Sequence, residues 1–138
     1  MKPTVMFACV HNAGRSQMAA AWLRQIAGDQ VRVISGGSEP AHRINPAVVE
    51  AMAEAGIDVS QEQPRAWSRD DIHAADVVVT MGCGDACPVV PGRRYLDWEL
   101  EDPSGRTVAD VRTIRDEIES RVRRLVAELG LARDASPE

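Results

Sequence analysis

Three cysteines and one arginine are the residues of this chain whose types and spacing suggest chemistry. The first cysteine opens the run Cys9-Val10-His11-Asn12-Ala13-Gly14-Arg15-Ser16, a C-x5-R-S pattern. Five intervening residues can curl so that their backbone N–H groups point inward and form an anion nest. A helix beginning near Ser16 adds the positive end of its dipole. Arg15 can hold two oxygens of a tetrahedral oxyanion in a planar fork. Cys9 then lies at the base of the cradle, where the positive field favours its thiolate. The expected oxyanion-binding set is Val10, His11, Asn12, Ala13, Gly14, Arg15 and Ser16, with Ser16 donating to the Cys9 sulfur and Asn12 bracing the loop. His11 either tunes Cys9 or fills the loop, and the sequence leaves both open.

The other two cysteines stand in Met81-Gly82-Cys83-Gly84-Asp85-Ala86-Cys87-Pro88. On a helix, a spacing of four residues puts Cα atoms about 6 Å apart, within the range a disulfide can span after some local rearrangement. The glycines flanking Cys83 make the segment easy to move. A zinc site needs about four ligands, and only His11, His42 and His73 are available beside the thiols, so no metal is expected. An odd, low cysteine count without an export signal reads as reduced thiols in the cytoplasm.

These residues need a scaffold. Thr4 to Ala8 is a short apolar run typical of a buried parallel strand. Gln17 to Ala27, rich in Ala, Met, Leu and Trp, reads as a helix stopped by Gly28. Val31 to Ser35 is a second strand. Asn45-Pro46 starts a helix, an N-cap residue followed by proline at the first helical position, which runs to Ala55 and ends at Gly56. Ser68 to Ala74 is a short helix, Asp76 to Met81 a third strand, and Arg94 to Trp98 a weaker fourth. From Val108 to Leu129 the apolar residues recur every three or four positions, marking one stripe on a long helix closed by Gly130. Alternating strands and helices imply a parallel α/β sheet with helices on both faces. Ligands in such folds sit beyond the carboxyl ends of the strands, where Cys9 lies.

The chain has 138 residues, of which 44% are apolar, enough for one domain with a real core. We expect residues 1–132 to form a single domain and 133–138 a disordered tail. The net charge of −5 argues against non-specific nucleic-acid binding. No apolar stretch is long enough to span a membrane, and a cytoplasmic monomer is expected.

The segment Cys9 to Ser16 resembles the phosphate loop of the low-molecular-weight protein tyrosine phosphatase superfamily, which includes thioredoxin-coupled arsenate reductases. The order of motifs is similar from Pro3 to Gly130. The resemblance implies a four-stranded parallel sheet in the order 2-1-3-4. The third strand then lies beside the first, about 4.8 Å away, and Cys9 and Cys83 face one cleft. The aspartate of an Asp-Pro motif is the superfamily's general acid, and Asp102-Pro103 matches it. The phosphatases carry a second cysteine at the position of Gly14 and a tyrosine pair after Asp-Pro. Here Ser104-Gly105 follows instead, and this with the Cys83/Cys87 pair resembles the reductases. The spacer between those two cysteines is shorter than is typical of them.

Some reductases hold potassium with a glutamate in the helix after the loop. Here Ala19-Ala20-Ala21 occupies that region, and no such ion is expected. The resemblance implies arsenate as substrate and a relay through Cys9, Cys83 and Cys87. Thioredoxin would be the external reductant, with no bound cofactor. The alternatives are a mycothiol-dependent reductase using Cys9 alone, a phosphatase using Cys9, Arg15 and Asp102, and an anion-sensing module. Asp97, Glu99 and Glu101 read as an exposed acidic face, Arg93 and Arg94 as a solvated pair rather than a contact for a redox partner, and Trp22 as core. Trp67 and Trp98 read as either core or cleft.

Overall fold

The computed structural model describes residues 2–82, 92 and 94–131. Along the chain lie β1 (Thr4–Cys9), α1 (Arg15–Ala27), a single 3-10 turn (Gly28–Gln30) and β2 (Arg32–Gly37). After these come α2 (Pro46–Glu54), α3 (Arg69–Ala74), β3 (Val77–Thr80), β4 (Arg94–Asp97) and α4 (Val108–Glu128). The strands form one parallel sheet in the order β2-β1-β3-β4, as the resemblance implied. Register sets Cys9 opposite Gly37 on β2, and Ala8 opposite Thr80 on β3.

After Thr4, β1 is apolar from Val5 to Cys9, because both its faces are covered. Val5, Phe7 and Cys9 point into the larger core, with the buried faces of α1, α2 and α4. Met6 and Ala8 point the other way, onto Ile72 of α3, Ala75 and Val78. This alternation puts the Cys9 side chain on the α1 side at the last position of its strand. Fully burying side chains such as Phe7, Leu23 and Ile118 contributes about 1.5–3 kcal/mol each. That makes the sheet end a firm base for the loop it carries.

α4 buries Val111, Ile114, Ile118, Val122 and Leu125, the stripe expected from the spacing, and packs on α1 and α2. Its N-cap Thr107 accepts a hydrogen bond from the Asp110 N–H at 3.2 Å. α2 is capped by Asn45, whose side chain accepts from Ala47 N–H at 2.9 Å, with Pro46 at its start. Trp22 and Trp98 are core residues, the latter with its ring centroid 5.8 Å from that of Phe7. Trp67 is half-buried on the α3 side. Among the described residues no helix is long and apolar enough to cross a membrane. The expected disordered tail lies outside the described residues.

Candidate active site

The turn between β1 and α1 is built around Cys9. Its sulfur lies 2.8 Å from Ser16 Oγ and accepts a hydrogen bond from the Asn12 backbone N–H at 3.3 Å. α1 begins at Arg15, and no side chain caps it. Its first N–H groups therefore stay available for an anion, and the helix dipole points at the loop.

Asn12 holds this turn in shape. It has φ 50°, a left-handed conformation that asparagine tolerates better than most residues. Its Oδ1 accepts from the Arg65 backbone N–H at 3.0 Å and from Gln17 Nε2 at 3.0 Å. A backbone N–H can only donate, so the Arg65 contact fixes which end of the Asn12 amide is oxygen. Nδ2 then faces Ser16 Oγ at 2.7 Å and donates to it. With Cys9 as a thiolate, the Ser16 proton is directed to sulfur. A chain of donors thus runs from Arg65 through Asn12 and Ser16 to Cys9, and Asn12 and Ser16 are fully buried.

Arg15 is 7% exposed. Its Nη1 donates to the Leu100 carbonyl at 3.4 Å, and its Nη2 lies 3.8 Å from Asp102 Oδ2. Asp102 is half exposed, and its other oxygen accepts from Ser104 N–H at 3.0 Å. The structure thus brings the expected arginine and the expected acid together across the loop. Asn45 holds the two loops in one frame. Its N–H donates to the Ala13 carbonyl at 2.9 Å, and its Nδ2 donates to the Pro103 carbonyl at 3.3 Å. Gly14 touches the same proline: a Cβ there would lie 2.6 Å from Pro103 Cγ. A cysteine at position 14 requires this Asp-Pro loop to shift.

A cleft of about 290 Å³ opens over the loop, lined by Cys9, His11, Arg15, Arg43, Asp102 and Ser104 among others. That is ample for a four-oxygen anion. Arg43 is an exposed cation at its lip. His11 Nδ1 donates to the Glu39 carbonyl at 3.1 Å. The Ala41 N–H in turn donates to the His11 carbonyl at 3.0 Å. Of the two roles left open by the sequence, these contacts favour bracing the loop wall.

Arg65 was not evident as a site residue. Besides its N–H to Asn12, its Nη1 donates to the Ser35 carbonyl at 2.7 Å and its Nη2 to Asp71 Oδ2 at 2.8 Å. Burial pushes the Asp71 carboxyl up, but hydrogen bonds from Ser68 and Arg65, with the Arg65 charge, together hold it below its ordinary range. Gln17 was also missed. It is a buried polar residue that follows Arg15 and Ser16 in the first turn of α1, and nothing in its spacing marks it apart from a solvated helix start.

Asp97 accepts from Thr80 Oγ1 at 2.8 Å, Glu101 pairs with Arg106 at 3.1 Å, and Arg94 pairs with Glu128 at 3.1 Å. Ala19, Ala20 and Ala21 are buried in the core. Among the described residues no group of three or more His, Cys, Asp or Glu is placed to hold a metal. Cys83, Cys87 and Arg93 lie outside the described residues.

Residues 4–135 match the family model for low molecular weight phosphotyrosine protein phosphatase. An arsenate reductase of Staphylococcus epidermidis is 40% identical over 125 residues, covering 88% of this chain and 94% of that protein. A thioredoxin-dependent arsenate reductase of Corynebacterium glutamicum superposes with a TM-score of 0.80 at 46% identity over 94% of this chain. The chain spans 62% of that protein's length. An arsenate reductase solved in an oxidized state superposes with a TM-score of 0.80 at 34% identity, covering 93% of this chain and 98% of that one. The chain belongs to the low-molecular-weight phosphotyrosine protein phosphatase family.

Proposed function

We propose that this chain reduces arsenate to arsenite through a Cys9–Cys83–Cys87 thiol relay and is returned to the dithiol state by thioredoxin. The observation that carries the reading is a thiol, Cys9, in contact with Ser16 Oγ and the Asn12 N–H and lining one cleft with the buried Arg15. This stands in a chain similar along most of its length to arsenate reductases.

Arsenate enters the cradle between Asn12 and Ser16, where Arg15 and the open N–H groups of α1 hold its oxygens. The Cys9 thiolate attacks arsenic, and one arsenic-bound oxygen leaves as water. Asp102 supports that departure as a proton donor at the cleft mouth. Cys83 then attacks the Cys9 sulfur. The electron pair of the S–As bond passes to arsenic, As(V) becomes As(III), and arsenite leaves as a Cys9–Cys83 disulfide forms. Cys87 attacks Cys83, Cys9 departs as thiolate, and the disulfide moves to Cys83–Cys87. Thioredoxin supplies two electrons to reopen it. Each exchange is attack of a thiolate on a disulfide or S–As bond, and the sum is one arsenate and one dithiol converted to arsenite, disulfide and water.

The test is arsenate-dependent NADPH consumption with thioredoxin and its reductase, run beside a mycothiol-based system. Cys87→Ser is expected to release one arsenite per enzyme and stop, with a Cys9–Cys83 disulfide recovered by peptide mass mapping. Repeated turnover of that variant with thioredoxin alone refutes the relay, and repeated turnover only with mycothiol favours the low-molecular-weight thiol route. The phosphatase alternative is separated by a phosphate monoester: hydrolysis faster than arsenate reduction, and unaffected by loss of Cys83 and Cys87, would support it.

A further inference from the structure

We propose that Gly82 is a positioning residue for Arg15, its missing side chain being the space in which the guanidinium sits. The inference rests on the oxyanion-loop reading of Cys9 to Ser16, and it is independent of which thiol reduces the enzyme. Met81 N–H donates to the Ala8 carbonyl at 2.8 Å, which extends the pairing of β3 with β1 to the end of β1 and sets Gly82 beside the loop. Gly82 has φ +87°. A Cβ built on it would overlap Arg15 Nη1 and lie 3.3 Å from Cζ and 3.6 Å from Nη2. Nη1 also contacts the Leu100 carbonyl, and Nη2 faces Asp102. The guanidinium therefore lies between the chain leaving β3 and the segment that carries the acid.

The consequence follows from which atom is struck. Nη1 is the far end of a flexible side chain, so a Cβ at position 82 displaces it with little loss of packing. The fork that grips two oxygens, however, works only when its plane is fixed. A substitution here should uncouple stability from oxyanion affinity. Gly56 provides the control, because it has φ +82° with nothing within 4 Å of its would-be Cβ. Gly56→Ala thus has a similar left-handed backbone penalty without the collision.

The experiment measures the dissociation constant of inorganic phosphate by calorimetry, KM and kcat for arsenate, and the thermal midpoint. For Gly82→Ala we expect phosphate affinity to fall by about tenfold or more, as loss of one well-aligned charge-assisted contact would give. KM for arsenate should rise in step, and the thermal midpoint should fall no further than in Gly56→Ala. Gly82→Asn, whose side chain tolerates positive φ but keeps the colliding Cβ, should show the same loss of affinity if the alanine variant folds poorly. In an Arg15→Lys background, where Nη1 is absent, adding Gly82→Ala should change phosphate affinity by less than about twofold. Wild-type phosphate affinity in folded Gly82→Ala, or an equal loss in the Arg15→Lys background, overturns the proposal. Absence of arsenate turnover in the wild-type protein would refute the reductase reading alone, since the phosphate measurements stand without it.

Discussion

Replacing Asn12 separates the two contributions it makes to the loop. Its side chain forms hydrogen bonds with Ser16, Gln17 and the Arg65 backbone, and its backbone stands at φ 50°. Asn12→Gly removes the bonds but accepts the backbone angle. At about 0.5–1.5 kcal/mol net for each bond, with partial replacement by water at the exposed Arg65, the loss should be about 1–4 kcal/mol. Asn12→Ala removes the same bonds and also places a β-carbon in the left-handed region, which should cost about 1 kcal/mol more. Denaturant unfolding measures both, and the midpoint should fall in the order wild type, glycine, alanine with an unchanged slope. Activity should fall more steeply than stability. Without Asn12, the Ser16 hydroxyl is no longer aimed at Cys9, and a misplacement of about 1 Å can lower a rate about 100-fold. Equal stability of the two variants would refute the backbone argument. An alanine variant within about 0.5 kcal/mol of wild type, the range of an ordinary surface substitution, would refute the bracing role altogether.

Cys9→Ser should abolish arsenate reduction, because a serine hydroxyl is a far weaker nucleophile at neutral pH; retained turnover would end the thiol mechanism. Arg15→Ala should raise KM and lower kcat together, since the guanidinium grips the anion through both binding and chemistry; unchanged kinetics would remove it from the site. The Asp71 carboxyl is depressed in the folded protein from an ordinary value of 3.8. Its stabilising contribution is therefore complete above that value and is lost as the pH falls through the folded value. Asp71→Asn should accordingly be less stable than wild type at neutral pH, with the gap closing below about pH 4. A gap that persists in acid would mean that the bonds of the carboxylate with Ser68 and Arg65 are not its cause.

The phosphate loop was legible because its information is local. The strand Thr4–Cys9, the C-x5-R-S run and the helix after it are contiguous, so spacing alone indicates what the backbone must do. The long stripe of α4 was legible for the same reason, since periodicity is a property of one segment. The helix after the loop starts at Arg15 rather than Gln17, a shift that follows from the loop closing onto the helix end. Arg65 was illegible because it lies 53 residues from Asn12 and contacts it through a backbone N–H, which carries no side-chain signature. The approach of Gly82 to Arg15 was illegible as well. The sequence suggested easy motion for that glycine, and only the folded chain brings the Arg15 guanidinium into the space it leaves.

Asn45 shows how one residue can serve folding and the site together. As an N-cap it explains why α2 begins at Pro46, and that role uses Oδ1, which accepts from Ala47, and the carbonyl, which accepts from the N–H groups of Val48 and Val49. The remaining groups are free for other bonds, and both are used: N–H on the Ala13 carbonyl and Nδ2 on the Pro103 carbonyl. The Ala13 bond holds the loop that carries Cys9 and Arg15, and the Pro103 bond holds the loop that carries Asp102. Neither loop has regular structure of its own to fix its position relative to the other. Their common reference is the start of α2, which is anchored by buried Val48, Ala51 and Met52. The Asp102 loop at the cleft mouth is thus tied, through the start of α2, to the turn that follows Cys9, itself held at the end of β1. Helix packing against α4 thereby helps fix where Asp102 stands relative to Cys9, the placement that the proposed attack and proton donation require whether the substrate is a phosphate or an arsenate.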